Sequence, residues 1–200
     1  MACNGDIWAV TPSTSATYYR AAASIAGAGA LTLLTQDAGP NGVGYKVRIT
    51  SVGDDRGITF TIVGIKVGDL TGKFTTEVVT GANASTADST NFFAYIESIT
   101  ASGASAGNVS IGTTGSIALP RTRLKGFYYL ASGSAGSIQV NLNSSSGTEL
   151  LNIATPASAT GTQDMFLPGT GILTTSTGSS VTDFSVVTIT NVTNTVLFCG

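Results

Sequence analysis

Histidine is absent from this 200-residue chain, and charged residues make up only 10% of it, less than half of the roughly 25% usual in soluble domains. Histidine is the commonest general acid or base and the commonest metal ligand in proteins. Its absence excludes serine–histidine–aspartate triads, cysteine–histidine nucleophiles and histidine-containing zinc or iron sites. We therefore expect a protein that is not an enzyme and that carries no cofactor or metal.

Basic residues and long apolar runs are also scarce. With nine lysines and arginines and an isoelectric point near 4.8, the chain lacks the basic surface that binding to a phosphate backbone requires. The first residues show no basic segment followed by an apolar one, and later apolar runs are only a few residues long. We expect neither nucleic acid nor membrane as a partner, and no export signal.

The chain has two cysteines, Cys3 and Cys199, near its opposite ends. Two are too few for a disulfide framework or a metal knuckle. Two free thiols are the simpler interpretation for a chain made in a reducing compartment. A bridge between the ends is the alternative, because the termini of a domain often lie close together.

Threonine, serine and glycine dominate what is present, with 31, 22 and 25 residues, or 39% of the chain. Apolar residues still make up 42%, which argues against disorder. Alternation with a period of two recurs along the whole chain, and no long window keeps a helical period. Strands with Gly- and Ser-rich turns between them predict an all-β fold, an antiparallel β-sandwich. The predicted strands cover 17–20, 30–35, 44–52, 58–62, 73–80, 92–100, 107–111, 122–130, 137–142, 148–153, 163–167, 183–190 and 195–198.

Turn and linker signals suggest how these strands are organised. The run Asp54-Asp55-Arg56-Gly57 has turn chemistry and predicts that 44–52 and 58–62 form a hairpin. Gly112-Thr-Thr-Gly-Ser116 interrupts the alternation and is interpreted as a short linker. We predict an extended N-terminal arm at 1–16, a β-sandwich domain at 17–115 and a second one at 116–200. The alternative is one sandwich with a long loop at 112–120.

Two motifs come near to a ligand site. The run from Gly68 to Phe74 has its glycines too close for a phosphate loop, and Phe74 stands where a magnesium-binding Ser or Thr is needed, so we interpret it as a hairpin turn. Asp54 and Asp55 are adjacent carboxylates, but they lack the alternating oxygen ligands of a calcium loop. A turn is the better interpretation, and a metal site is the alternative.

The one local concentration of charge is basic and contains Arg121, Arg123 and Lys125. On a strand these three side chains share a face, and Leu124 points inward. Such a stripe is either a solvated face that discourages edge-to-edge aggregation or a docking contact to an acidic neighbouring subunit.

Aromatic residues mark two further candidates. In the N-terminal arm, Trp8 with its neighbours Ile7 and Val10 could pack on a partner. The pairs Tyr18-Tyr19 and Tyr128-Tyr129 are the candidates for the aromatic platforms that a carbohydrate-binding module needs.

Four segments together resemble the small β-sandwich structural proteins of tailed-bacteriophage virions, which decorate capsids or build neck and tail parts. The segments are GYKVRITSVG at 44–53, GITFTIVG at 57–64, TEVVTGAN at 76–83 and IESITASGASAGNVSIG at 96–112. The chain departs from the pattern at 66–72, where the hairpin tip is less regular.

This resemblance implies a structural virion protein, and specifically a capsid decoration (cement) protein. Its partners would be the major capsid protein or other virion subunits, with the chain itself forming a homo-oligomer. It would be assembled in the host cytoplasm and end on the capsid exterior. The alternatives are a tail, neck or fibre component, or a carbohydrate-binding or adhesive β-sandwich.

Overall fold

The computed structural model describes residues 8–10, 14–36, 43–69, 71–119, 123–157, 162–167, 172–173 and 184–199. Within these ranges the chain forms fifteen strands and no helix, and the strand pairs described there are antiparallel. The prediction of an all-β antiparallel fold is confirmed.

The chain divides into two compact units. The first unit is Ser13–Thr114, and the second is Gly115–Gly200 together with Met1–Pro12. The first unit contains β2 (Ser15–Ala23), β3 (Gly29–Ala30), β4 (Gly44–Ser51), β5 (Thr59–Lys66), β6 (Thr75–Thr80), β7 (Thr86–Ala101) and the first half of β8 (Val109–Leu119).

The second unit contains two sets of paired strands. One has the order β1-β15-β9-β12, with β13 also paired to β9, and the other has the order β11-β10-β14-β8. Its strands are β1 (Trp8–Val10), the second half of β8, β9 (Arg123–Ala131), β10 (Gly136–Leu142), β11 (Glu149–Thr155), β12 (Thr162–Phe166), β13 (Ile172–Leu173), β14 (Ser185–Thr190) and β15 (Val192–Cys199).

In the first unit the sheet order is β8-β4-β7-β5-β6, with β2 added at β8 and β3 at β7. The 16-residue β7 pairs with β4 along its first half and with β5 along its second. The register of β7 shifts against both neighbours, and such bulges bend a strand. At the first shift, the Ser89 hydroxyl accepts from the Val47 amide at 2.9 Å and donates to the Asn91 carbonyl at 2.8 Å.

One hydrophobic cluster fills the core of the first unit. Alternation along β4 shows how the sequence produces it: Tyr45, Val47 and Ile49 are fully buried, whereas Lys46 and Arg48 between them are half-buried. The buried apolar residues of the cluster come from β2, β4, β5, β6, β7 and β8 and from the loop after β2: Tyr19, Ile25, Val47, Ile49, Phe60, Ile62, Val79, Phe93, Ile96, Ile99, Ala101, Val109 and Ile111.

The predicted hairpin between 44–52 and 58–62 is wrong. Strands β4 and β5 lie where the alternation places them, but β7 lies between them and pairs with both. Residues 52–58 therefore connect two strands that are not neighbours. Period-two alternation reports which face of a strand is buried, and it carries no information about the partner strand.

The predicted linker at 112–116 is also wrong, because these residues lie inside strand β8. Thr113 and Thr114 are buried. A Cβ on Gly112 would collide with the backbone of Ser15 and Ala16 on β2. Gly112, which suggested a break in the strand, has no side chain and therefore allows β2 and β8 to approach closely.

Three turns of the first unit meet around Asp55, which is 1% exposed. Its carboxylate Oδ1 accepts from the Ala106 amide at 2.7 Å, its amide donates to the Ala82 carbonyl at 2.9 Å, and its carbonyl accepts from Ile58 at 3.0 Å. The other carboxylate oxygen, Oδ2, is buried without a hydrogen-bond partner. The Asp54-Asp55 run is thus the centre of a joint between three turns.

Candidate docking surface

The basic stripe begins strand β9 in the second unit. Arg123 and Lys125 are half-buried and Leu124 is fully buried, as the alternation predicts. The third basic residue, Arg121, lies outside the described residues.

A bulge at Lys125 changes the faces of β9. Strand β15 pairs Phe198 with Gly126 and then Cys199 with Leu124, so Lys125 is the extra residue of β9. Because of this extra residue, Leu124 and Phe127 are both fully buried although they are three positions apart.

Beside the bulge, two aromatic rings meet over a glycine. Gly126 pairs with Phe198 of β15 on one side and with Phe166 of β12 on the other. The two rings stack with their centroids 6.1 Å apart and their planes 18° from parallel. A glycine leaves open space on its face of the sheet, and the neighbouring aromatic rings cover it.

The Phe166 ring is 73% exposed, the highest value among the exposed large apolar side chains of the described chain. Aromatic residues and arginine are enriched at the centres of protein–protein interfaces. We call Arg123, Lys125, Phe166 and Phe198 the aromatic–basic surface. Sequence reasoning found its cations from their spacing and missed both phenylalanines, because only the pairing of β15 and β12 with β9 brings them together.

The other residues proposed for partner binding lie in or near strand β1. Trp8 pairs with Cys199 and Val10 with Leu197, at the edge of the sheet that carries the aromatic–basic surface. Ile7 lies outside the described residues. Strand β2 begins at Ser15, within the range predicted for the arm.

The tyrosine pairs are only partly accessible. Tyr19 is fully buried and Tyr129 is 6% exposed, and Tyr18 and Tyr128 are half-buried. Tyr18 lies edge-on to Tyr19 with ring centroids 5.1 Å apart. A carbohydrate platform would therefore have to use Tyr18 or Tyr128.

A recess of about 330 Å³ lies beside Arg20, between the end of β2 and residues 24–32. The Arg20 guanidinium donates to the carbonyls of Ala23, Ser24 and Val109, and partial burial lowers its pKa. These bonds attach the segment after β2 to β8. Arg20 therefore has a structural role, which accounts for its position beside the recess.

The described residues include neither a metal-binding cluster nor a membrane-spanning helix. That part of the chain holds no group of three His, Cys, Asp or Glu side chains able to bind a metal ion. It also holds no helix long and apolar enough to cross a membrane.

The chain was compared with family models, curated proteins and solved structures, and none of the three comparisons found a match.

Proposed function

We propose that the chain is a structural virion protein of a tailed bacteriophage, a non-enzymatic capsid decoration protein that docks on the major capsid lattice and stabilises it. The resemblance of 44–112 to such proteins supports this proposal, and so does the antiparallel β architecture. The observation that carries it is the Phe166–Phe198 stack beside the cations of β9, because a solvent-exposed aromatic stack is typical of a surface that binds another protein.

The chemistry of the aromatic–basic surface defines the partner surface. Phe166 requires a shallow apolar recess, and Arg123 and Lys125 favour acidic side chains around that recess. Arg121, Arg123 and Lys125 are the only basic residues of the second unit, so the positive charge of this unit is concentrated at one end of β9. An acidic rim on the capsid subunit would therefore orient the docking.

Binding to empty capsid shells that lack the protein tests this proposal. Purified protein is mixed with the shells, and the bound amount is measured by co-sedimentation at rising concentration. We expect saturation at a fixed ratio to the capsid subunit. Phe166→Ser should weaken binding about 10- to 150-fold, because burial of a phenylalanine contributes roughly 1.5–3 kcal/mol.

Val52→Ser is the matched control. Val52 is 68% exposed, but it lies in the turn after β4 of the first unit, so its loss should leave binding unchanged. Density for the protein only on the tail or neck in a cryo-electron micrograph of the intact particle would contradict capsid decoration and favour a tail component. Glycan binding that is lost in Tyr128→Ala would favour the adhesive alternative.

A further inference from the structure

An uncharged patch lies on the outward side of strands β5, β6 and β7 in the first unit. Two registered rows cross β6, β5 and β7, and a third joins β6 and β5. In the rows of three, Val78 pairs with Thr61 and Thr61 with Thr100, and Thr76 pairs with Val63 and Val63 with Ser98; in the shorter row, Thr80 pairs with Thr59. We call these eight residues the threonine face. The middle row extends to β3, where Ala30 pairs with Thr100.

The threonine face is open to solvent. Thr76, Val78 and Thr80 are exposed and the other five residues are half-buried, while the alternate residues Phe60, Ile62 and Ile99 are fully buried on the opposite side. The face is extended by Phe74, two residues before Thr76 and 55% exposed; Val78 itself is 58% exposed. Among the described residues, no layer covers this apolar and hydroxyl surface.

Charged residues of this unit lie on the outward side of β4 and the first half of β7. On β4 and the first half of β7, Arg48 and Asp88 pair at 2.7 Å and Lys46 lies over the Phe92 ring at 5.3 Å. None of the eight residues of the threonine face is charged, and the exposed Glu97 lies at its edge, next to Ser98. The charged residue of β6, Glu77, instead bonds the Thr90 and Asn91 amides of β7.

We infer that the threonine face binds the threonine face of a second copy of this chain. A charged partner surface would lose hydration there without meeting an opposite charge. Two uncharged faces related by a twofold axis meet no like-charge repulsion, and the same patch serves both subunits. Two sheets can pack face to face about 10 Å apart, as the layers of a β-sandwich do.

The size of the face sets the strength of this contact. Adjacent strands lie about 4.8 Å apart and alternate residues of a strand about 6.8 Å apart, so the eight residues with Ala30 and Phe74 cover roughly 330 Å² per copy. A standard stable interface buries about 800 Å² per partner. We therefore expect a weak dimer, seen in the micromolar to millimolar range and reinforced where copies are held side by side. The inference does not depend on the proposed function, because it concerns the isolated protein.

Sedimentation velocity of the full chain over this concentration range tests the inference. We expect a reversible monomer–dimer equilibrium. Thr61→Lys places a charge at the centre of the contact and, across the twofold axis, next to its own copy. Because juxtaposed like charges cost several kcal/mol, the dissociation constant should rise about tenfold or more.

Thr50→Lys is the matched control, since Thr50 is a half-buried threonine on the outward face of β4. It should dimerise as the unchanged protein does. Thr61→Cys, treated with a short bis-maleimide, should give a 61–61 crosslink by mass spectrometry, and Thr50→Cys should give no 50–50 crosslink. A chain that stays monomeric at millimolar concentration overturns the inference, and so does a dimer that Thr61→Lys leaves intact.

Discussion

Replacement of Asp55 is the sharpest test of how the first unit is held together. The carboxylate is buried where the turns 52–58, 81–85 and 102–108 meet, and its one side-chain hydrogen bond is to the Ala106 amide. The turns are also joined by backbone bonds, from Ala84 to the Gly53 carbonyl at 2.9 Å and from Val52 to the Asn108 carbonyl at 3.0 Å. A change of the Asp55 side chain therefore removes one defined contact and leaves the others in place.

The magnitudes follow from the two carboxylate oxygens. Asp55→Ala removes the charged acceptor of the Ala106 amide, and hydrogen bonds to charged groups contribute about 1.5–3 kcal/mol. Asp55→Asn keeps an acceptor for that amide and removes a buried charge whose Oδ2 has no partner. The amide group still needs an acceptor for its own N–H, so we expect a loss below about 1 kcal/mol.

Amide hydrogen exchange measures the loss of stability locally, around Asp55. A local measurement suits a chain of two units, because its global unfolding need not be two-state. In Asp55→Ala, protection of the amides of Ala106, Ile58 and Ala84 should fall about 10- to 150-fold. Amides of the second unit, such as Val140, should not change. The reasoning is refuted if Asp55→Ala leaves Ala106 protected, or if Asp55→Asn is as damaging as Asp55→Ala.

Three further predictions concern single contacts. Gly112→Ala should destabilise the first unit by about 1–3 kcal/mol in thermal unfolding, because the added methyl group collides with β2. Gly27→Ala is the control and should not destabilise the unit, because its methyl group meets no atom within 4 Å. Equal effects of the two substitutions would contradict the close approach of β2 to Gly112. Ser89→Ala should cost about 1–3 kcal/mol because it leaves the buried Val47 amide unpaired, whereas Ser102→Ala at an exposed bond should cost less. Hydrogen bonds from Arg56 lower the pKa of Asp54 from 3.8 to about 2. The stability that this pair contributes is therefore present above pH 3.8 and is lost as the pH falls through 2. In Arg56→Gln, an NMR titration should show the pKa of Asp54 return toward 3.8.

The positions of the strands were predictable because alternation records burial. The predicted strand 44–52 exceeds β4 by one residue, 137–142 lies within β10, and 122–130 differs from β9 by one residue at each end. Side-chain direction follows from the period of two alone, so a local pattern is enough.

Pairing was not predictable, because it depends on contacts distant in sequence. Strand β7 lies between β4 and β5 although it follows both, and no residue near Asp55 signals this. Gly112 resembled a break for the same reason: a glycine in a turn and a glycine against a closely packed neighbouring strand look alike in sequence. The aromatic–basic surface was half predicted, since Arg123 and Lys125 are neighbours in sequence, whereas Phe166 and Phe198 meet only across β9.

Salt should affect the two proposed surfaces differently: it should weaken docking through the aromatic–basic surface and leave the dimer of the threonine face intact. Screening weakens attraction between exposed charges, with a Debye length of about 10 Å at 0.1 M salt and about 3 Å at 1 M. Docking through Arg123 and Lys125 should therefore weaken as salt is raised. The threonine face has no charge to screen, so its dimer should persist, or strengthen in sulfate, which favours apolar burial. If the dimer dissociates at about 1 M sodium chloride, its contact must involve charged residues, which contradicts the threonine face. If binding to capsid shells does not change with salt, the cations of β9 have no role in docking.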